Sequence, residues 1–262
     1  MKRGILALAV LAAILVPASP AAANPACVGS PANHFDGRKD TTPTNYRGAQ
    51  IDIVHRWGSL CTTNSYTHFS WSWSLLGDDD LGSPTYGGRI QIGSAVWGGG
   101  NNCGCSRFVW EWGASDDFIT RGVFGSPGQG ATFKYQANVY LSDGRGHMLL
   151  YDYASQRWVT PPHNKNGDPP VTNFNPMTDW SNKTPMFMGE ILFYQSNYPG
   201  SSNAKQIWSI GKLRQTGGTW VNTNFATGWL RNQGGCFAKQ EDVSATSFRT
   251  WTYPLSHNGN NC

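Results

Sequence analysis

The chain has 262 residues, a formal net charge of +4 and only 14% charged residues, against about 25% in an average globular domain. No run of Lys and Arg is present that would follow a phosphate backbone, which argues against nucleic acid as a partner. Gly, Ser, Thr and Asn are abundant instead, the balance of an extracellular β protein rather than of a disordered tail.

Lys2 and Arg3 precede an apolar run from Ile5 to Val16, Pro17 ends it, and Ala21-Ala22-Ala23 offers a small-residue cleavage pattern. Residues 1–23 therefore read as a secretory signal peptide and residues 24–262 as one domain, secreted and extracellular. The apolar run is shorter than the ~20 residues that span a bilayer, so no membrane association is expected once the leader is removed. Six cysteines follow it: Cys27, Cys61, Cys103, Cys105, Cys236 and Cys262. An even number in an exported chain favours disulfides, without fixing the pairing. Cys103 and Cys105, one residue apart, are not expected to pair with each other. A zinc site is the rival reading, but a single C-x-C lacks the second pair of ligands.

Strand-like runs recur from Ala49 to Val54, Phe69 to Leu75, Arg89 to Trp97, Arg107 to Trp112, Thr132 to Leu141, His147 to Tyr153, Met186 to Tyr194, Gln206 to Leu213 and Phe248 to Tyr253. In the second of these runs, Phe69-Ser70-Trp71-Ser72-Trp73-Ser74-Leu75, strict alternation puts every aromatic on one face and every serine on the other, and the aromatic face must be covered. Gly and Asp-Gly turns punctuate the runs, and Asp143-Gly144 is the strongest hairpin signal. The segment Pro161 to Pro185 reads as a long loop, and Ala238 to Ser244 as a short turn of helix. Many strands and almost no helix predict an all-β fold: an antiparallel β-sandwich, jelly-roll or concanavalin-like, stapled by disulfides.

Glutamate is scarce, with three in the chain: Glu111, Glu190 and Glu241. Two fall in the middle of expected strands, where a charged carboxylate needs a partner or solvent. By pleat parity Glu111 shares a face with Arg107 and Val109, and Glu190 with Met188, Leu192 and Tyr194. If both faces belong to one concave sheet, the carboxyls can meet and divide into an acid and a base. The competing reading gives each a structural partner, Arg107 or another base for Glu111 and a Lys or Tyr for Glu190.

Arg89-Ile90-Gln91-Ile92-Gly93, then Ser106-Arg107-Phe108-Val109-Trp110-Glu111-Trp112, resembles the I-Q-x-G and R-x-F-x-x-W portion of the neprosin-like family of secreted glutamic peptidases. Gly189-Glu190-Ile191 and Tyr198-Pro199-Gly200 are similar to that family's second signature, and also to exported bacterial proteins without an assigned activity. The resemblance implies a β-sandwich whose two glutamates carry peptide hydrolysis, one activating water and the other holding a proton. Glu190 falls on the G-E motif; Glu111 is the candidate partner. Gln91, Tyr194 and Trp112 are expected to contact substrate or water.

A second reading is a non-catalytic carbohydrate- or surface-binding sandwich, or a glycosidase, using aromatic platforms. Trp97, Trp158, Trp180 and Trp229, beside turn-rich segments, suit exposed contacts better than Trp71 and Trp73. Asp78-Asp79-Asp80 lacks the spacing of a calcium loop, the six histidines are scattered, and no G-x-S-x-G elbow is present. The expected molecule is a monomer acting on an extracellular protein or glycan substrate, with no cofactor.

Overall fold

A computed structural model describes residues 26–27, 34–40, 46–58, 60–61, 68–77, 89–98, 105–113, 119–139, 146–161, 183–191, 199–226, 229–233 and 238–252. The leader, the Asp143-Gly144 turn, the Asp78–Asp80 run and most of the Pro161–Pro185 loop lie outside them. The strands are β1 (His34–Asp40), β2 (Gly48–Val54), β3 (His68–Gly77), β4 (Arg89–Gly98), β5 (Ser106–Gly113), β6 (Ile119–Phe124), β7 (Thr132–Val139) and β8 (Gly146–Asp152). They continue as β9 (Arg157–Val159), β10 (Thr184–Ile191), β11 (Gln206–Arg214), β12 (Trp220–Asn222), β13 (Trp229–Gln233), β14 (Ala238–Ser244) and β15 (Ser247–Thr252). No helix occurs among the described residues.

The strands form two antiparallel sheets packed as a sandwich. One has seven strands in the order β13-β1-β10-β3-β4-β5-β6; the other has eight, β14-β15-β11-β2-β7-β8-β9, with β12 added to β11. Each of the nine expected runs is a strand, displaced at its ends by a few residues where turns begin. β7 and β8 pair antiparallel, as Asp143-Gly144 predicts. Ala238–Ser244 is a correction: it is the strand β14, paired with β15, not a turn of helix. Its period-2 pattern is hidden because one of its inward residues is polar. Ala238 and Gln240 are buried while Lys239 is exposed. Gln240 accepts a hydrogen bond from Arg38, whose buried guanidinium also pairs with Asp242 at 2.6 Å and lies 5.0 Å from the Phe248 ring centre.

Between the sheets, Ile51, Ile53, Tyr135, Ala137, Trp208 and Phe248 of the eight-stranded layer meet Leu76, Ile90, Ile92, Phe108, Trp110 and Phe187 of the seven-stranded one. The face of β3 that joins this core is the serine face. Ser72 Oγ accepts from Gln206 Nε2 at 2.7 Å, and Ser74 Oγ donates to the Ala49 carbonyl at 3.1 Å. Small side chains let the two layers approach and tie them by hydrogen bonds that satisfy buried polar groups. Phe69, Trp71, Trp73 and Leu75 are buried on the opposite face, in a second cluster with Val109, Met186 and Met188 that contains no residue of the eight-stranded sheet. The aromatic face is thus covered, as alternation requires, but not by the other layer of the sandwich.

Gly93 shows why the I-Q-I-G strand carries a glycine. A Cβ there would lie 1.8 Å from the Ser72 carbonyl oxygen, backbone that cannot move aside cheaply. Gly93→Ala is expected to lower Tm by roughly 5–10 °C, the effect of ~2–3 kcal/mol of overpacking in a domain of this size, measurable by thermal denaturation. At the chain's start, Cys27 and Cys61 form a disulfide across 34 residues, a closure worth about 4 kcal/mol in chain-entropy terms. Cys105 is disulfide-bonded as well; Cys103, Cys236 and Cys262 lie outside the described residues.

Candidate active site on the outer face of the seven-stranded sheet

Pleat parity places the two candidate acids on one face. Glu190 on β10 and Glu111 on β5 both point away from the second sheet, beside Met188 and Val109 of the outer aromatic cluster. Each is nearly inaccessible, at 4% and 1% exposure.

Glu190 sits between Phe35 of β1 and Trp71 of β3 in the ladder. Its Oε2 accepts a hydrogen bond from the indole Nε1 of Trp73 at 3.1 Å. Trp73 is itself held by an edge contact with Phe35 at 6.2 Å between ring centres. The alternation of β3 makes this possible, since it presents two indoles on the same face as the β10 carboxyl.

Glu111 has a different environment. Its Oε1 accepts from Arg89 Nε at 2.9 Å, from Arg89 Nη2 at 2.7 Å and from Gln91 Nε2 at 3.2 Å. Gln91 and Glu111 are direct ladder partners across β4 and β5. The structural partner foreseen for Glu111 exists, but it is Arg89 of the adjacent strand rather than Arg107. The sequence left it open as another base beside Arg107, because parity alone does not reveal a cross-strand fork from the strand's first residue. Removing one member of a buried ion pair strands the other charge. Glu111→Ala is therefore expected to destabilise the fold by about 3 kcal/mol, and Arg89→Leu in the same chain to restore part of that loss in urea melts.

The ladder also sets the separations. Glu190 aligns with Trp71, Ala95 and Arg107, whereas Glu111 aligns with Gln91, Leu75 and Met186. Three interstrand steps and four residues along the strand separate the two α-carbons, about 19 Å on a flat sheet at ~4.8 Å and ~3.3 Å per step. Two carboxyls that act on one bond lie ~5–9.5 Å apart, so Glu111, turned toward Arg89, is not brought beside Glu190. Gln91 is one strand nearer. Trp112 lies on β5 opposite Ile90 and Thr120, and Tyr194 is outside the described residues.

A cluster that the sequence did not announce lies between the sheets. His55, directly after β2, has Ser94 Oγ 2.8 Å from Nδ1 and the Tyr135 hydroxyl 2.6 Å from Nε2. All three residues are 0% exposed. A serine touching a histidine suggests a nucleophile, but no substrate carbonyl reaches Ser94 through a closed core, so the cluster is structural. Burial lowers the His55 pKa from 6.5 to about 3 and pushes the Tyr135 hydroxyl well above its ordinary value.

No family model and no curated protein matches the chain, but solved structures do. Scytalido-glutamic peptidase with a peptide-based transition-state analogue matches with a TM-score of 0.56 at 11% identity, over 86% of this chain and 100% of that one. The same peptidase with a transition-state analogue inhibitor matches with a TM-score of 0.56 at 12% identity, over 84% and 98%. SCP-B, a member of the eqolisin family of peptidases in complex with the tripeptide Ala-Ile-His, gives 0.54 at 12% identity, over 86% and 100%. What this likeness establishes is the fold: the chain is a β-sandwich of the kind that glutamic peptidases adopt.

Proposed function

We propose that this protein is an exported hydrolase of peptide bonds, of the glutamic-peptidase type, with its site on the outer face of the seven-stranded sheet and Glu190 as its central acid. The observation that carries the reading is the placement of Glu190: a nearly buried carboxyl with one oxygen fixed by Trp73, in a sandwich that matches glutamic peptidases over their whole length. The sequence resemblance to neprosin-like proteins at Gly189-Glu190-Ile191 points to the same residue. The apolar leader and the Cys27–Cys61 bridge support export into an oxidising compartment.

In this mechanism Glu190 accepts a proton from a water molecule, whose oxygen attacks the scissile carbonyl carbon. The indole of Trp73 holds the second carboxylate oxygen, so the first is aimed at the water. Glu190 then returns its proton to the leaving amine as the C–N bond breaks. Gln91, Glu111 and Arg89 are hydrogen-bonded to one another farther along the same face; Gln91 is two interstrand steps and four residues from Glu190, about 16 Å on a flat sheet, so this group has a structural role.

The test is proteolysis of a denatured protein substrate across pH 3–8 by the purified full chain, with fragments identified by mass spectrometry. Cleavage lost in Glu190→Gln but kept in wild type supports the reading; absence of cleavage at every pH by a folded wild-type chain removes it.

A further inference from the structure

The outer face of the other sheet carries a second built site. A cleft of about 260 Å³ is lined there by Gln136, Asn138, Leu149, Trp158, Arg214 and Trp220. Trp158 on β9 is 46% exposed and packs edge-on against Tyr151 at 5.3 Å, forming one wall. Trp220 on β12 stands on the opposite side, aligned with Arg214. Between them the floor is amide. Gln136 of β7 and Gln50 of β2 are ladder partners, 6% and 7% exposed, and neither side chain has a hydrogen-bond partner among the described residues. Gln136 lines the cleft, and its amide, without a partner among the described residues, can both donate to and accept from a ligand there.

The surrounding charges are already engaged. Arg214 donates to the Gly218 carbonyl at 3.1 Å and to Asn138 Oδ1 at 2.9 Å. Asp52 accepts from the Tyr153 hydroxyl and faces Lys134 at 4.0 Å. With the Arg214 donors committed to the Gly218 carbonyl and Asn138, the cleft offers a ligand amides and indoles, which suits an uncharged molecule with paired donors and acceptors and an apolar flank. Gly48 belongs to this construction: a Cβ there would lie 2.9 Å from Trp220 Cη2 and 2.9 Å from Asn138 Oδ1, so glycine lets both side chains close over β2 without shifting.

From this geometry we infer that the cleft binds a neutral saccharide, one ring stacking its C–H face on Trp158 while its hydroxyls bond to the Gln136 amide. A peptide is disfavoured because strand addition needs a sheet edge, and the floor here is a sheet face. The site lies on the sheet opposite Glu190 and is independent of peptide hydrolysis; it would hold the enzyme on a polysaccharide surface while the other face works.

The experiment is calorimetric titration of the full chain with neutral cello-, xylo-, manno- and chito-oligosaccharides. At least one is expected to bind with Kd below ~1 mM. Trp158→Ala and Gln136→Ala are each expected to weaken it about 10-fold or more, and Glu190→Gln to leave it unchanged. Thermal melts of the same samples check that Trp158→Ala and Gln136→Ala remain folded. Absence of binding by every probe at ~10 mM overturns the inference. So does binding that only Trp158→Ala weakens, which would be stacking on an exposed ring and not occupancy of the cleft.

Discussion

Glu190→Gln is expected to lower the turnover of a peptide substrate by about 10³-fold, with KM nearly unchanged and Tm within a degree or two of wild type. General acid–base groups contribute ~10²–10⁴-fold to rate, and the substitution removes the only group in the proposed site that both takes and returns a proton. The fold should not notice, because a glutamine carbonyl accepts the Trp73 indole hydrogen as the carboxylate does. Two companions separate the roles. Trp73→Phe keeps the ring and loses the N–H, and should reduce kcat about 10-fold, the loss of ~1.4 kcal/mol of orientation. Glu111→Gln weakens the Arg89 ion pair and should lower stability while leaving kcat of the folded enzyme near wild type. Full activity in purified Glu190→Gln would remove the proposed chemistry altogether.

The sandwich was legible because strands write themselves in period 2. Where the inward residues are apolar, as in Ala49–Val54 or Thr132–Val139, the pattern is plain. Polar inward residues defeat it. β1 buries Asp36, Arg38 and Asp40, so nothing in His34–Asp40 reads as a core strand, and β14 buries Gln240 in the same way. Parity correctly put Glu111 and Glu190 on one face, since that depends only on local geometry. It carries no information on how many strands lie between them. That is decided by the order β10-β3-β4-β5, a long-range property which no spacing in the sequence encodes. For the same reason the Arg89–Glu111 fork and the His55 cluster were invisible: their members come from strands that only folding brings together.

The His55 cluster makes a prediction about pH that bears on where such an enzyme can work. The neutral imidazole is fully satisfied, because one neighbouring hydroxyl donates to its bare nitrogen and the other accepts from its N–H. Around it stand Trp57, stacked at 5.1 Å, and Phe133 at 5.9 Å, which offer nothing to an added charge. With a folded pKa of about 3 against 6.5 in the unfolded chain, unfolding takes up a proton throughout that interval. Stability from this source is therefore complete above pH 6.5 and is lost progressively as pH falls toward 3. The whole change is about 5 kcal/mol, a large part of a typical domain's total. Urea midpoints measured from pH 7.5 to pH 3.5 should fall steeply below pH 6.5, and His55→Gln, less stable at neutral pH, should show a flatter profile. A wild-type chain equally stable at pH 4 and pH 7 would mean that the core admits the imidazolium. If the loss is as large as expected, the operating range of Glu190 is bounded from below by the interior of the sandwich rather than by the carboxyl itself, and catalysis at strongly acid pH requires the disulfides to carry more of the stability.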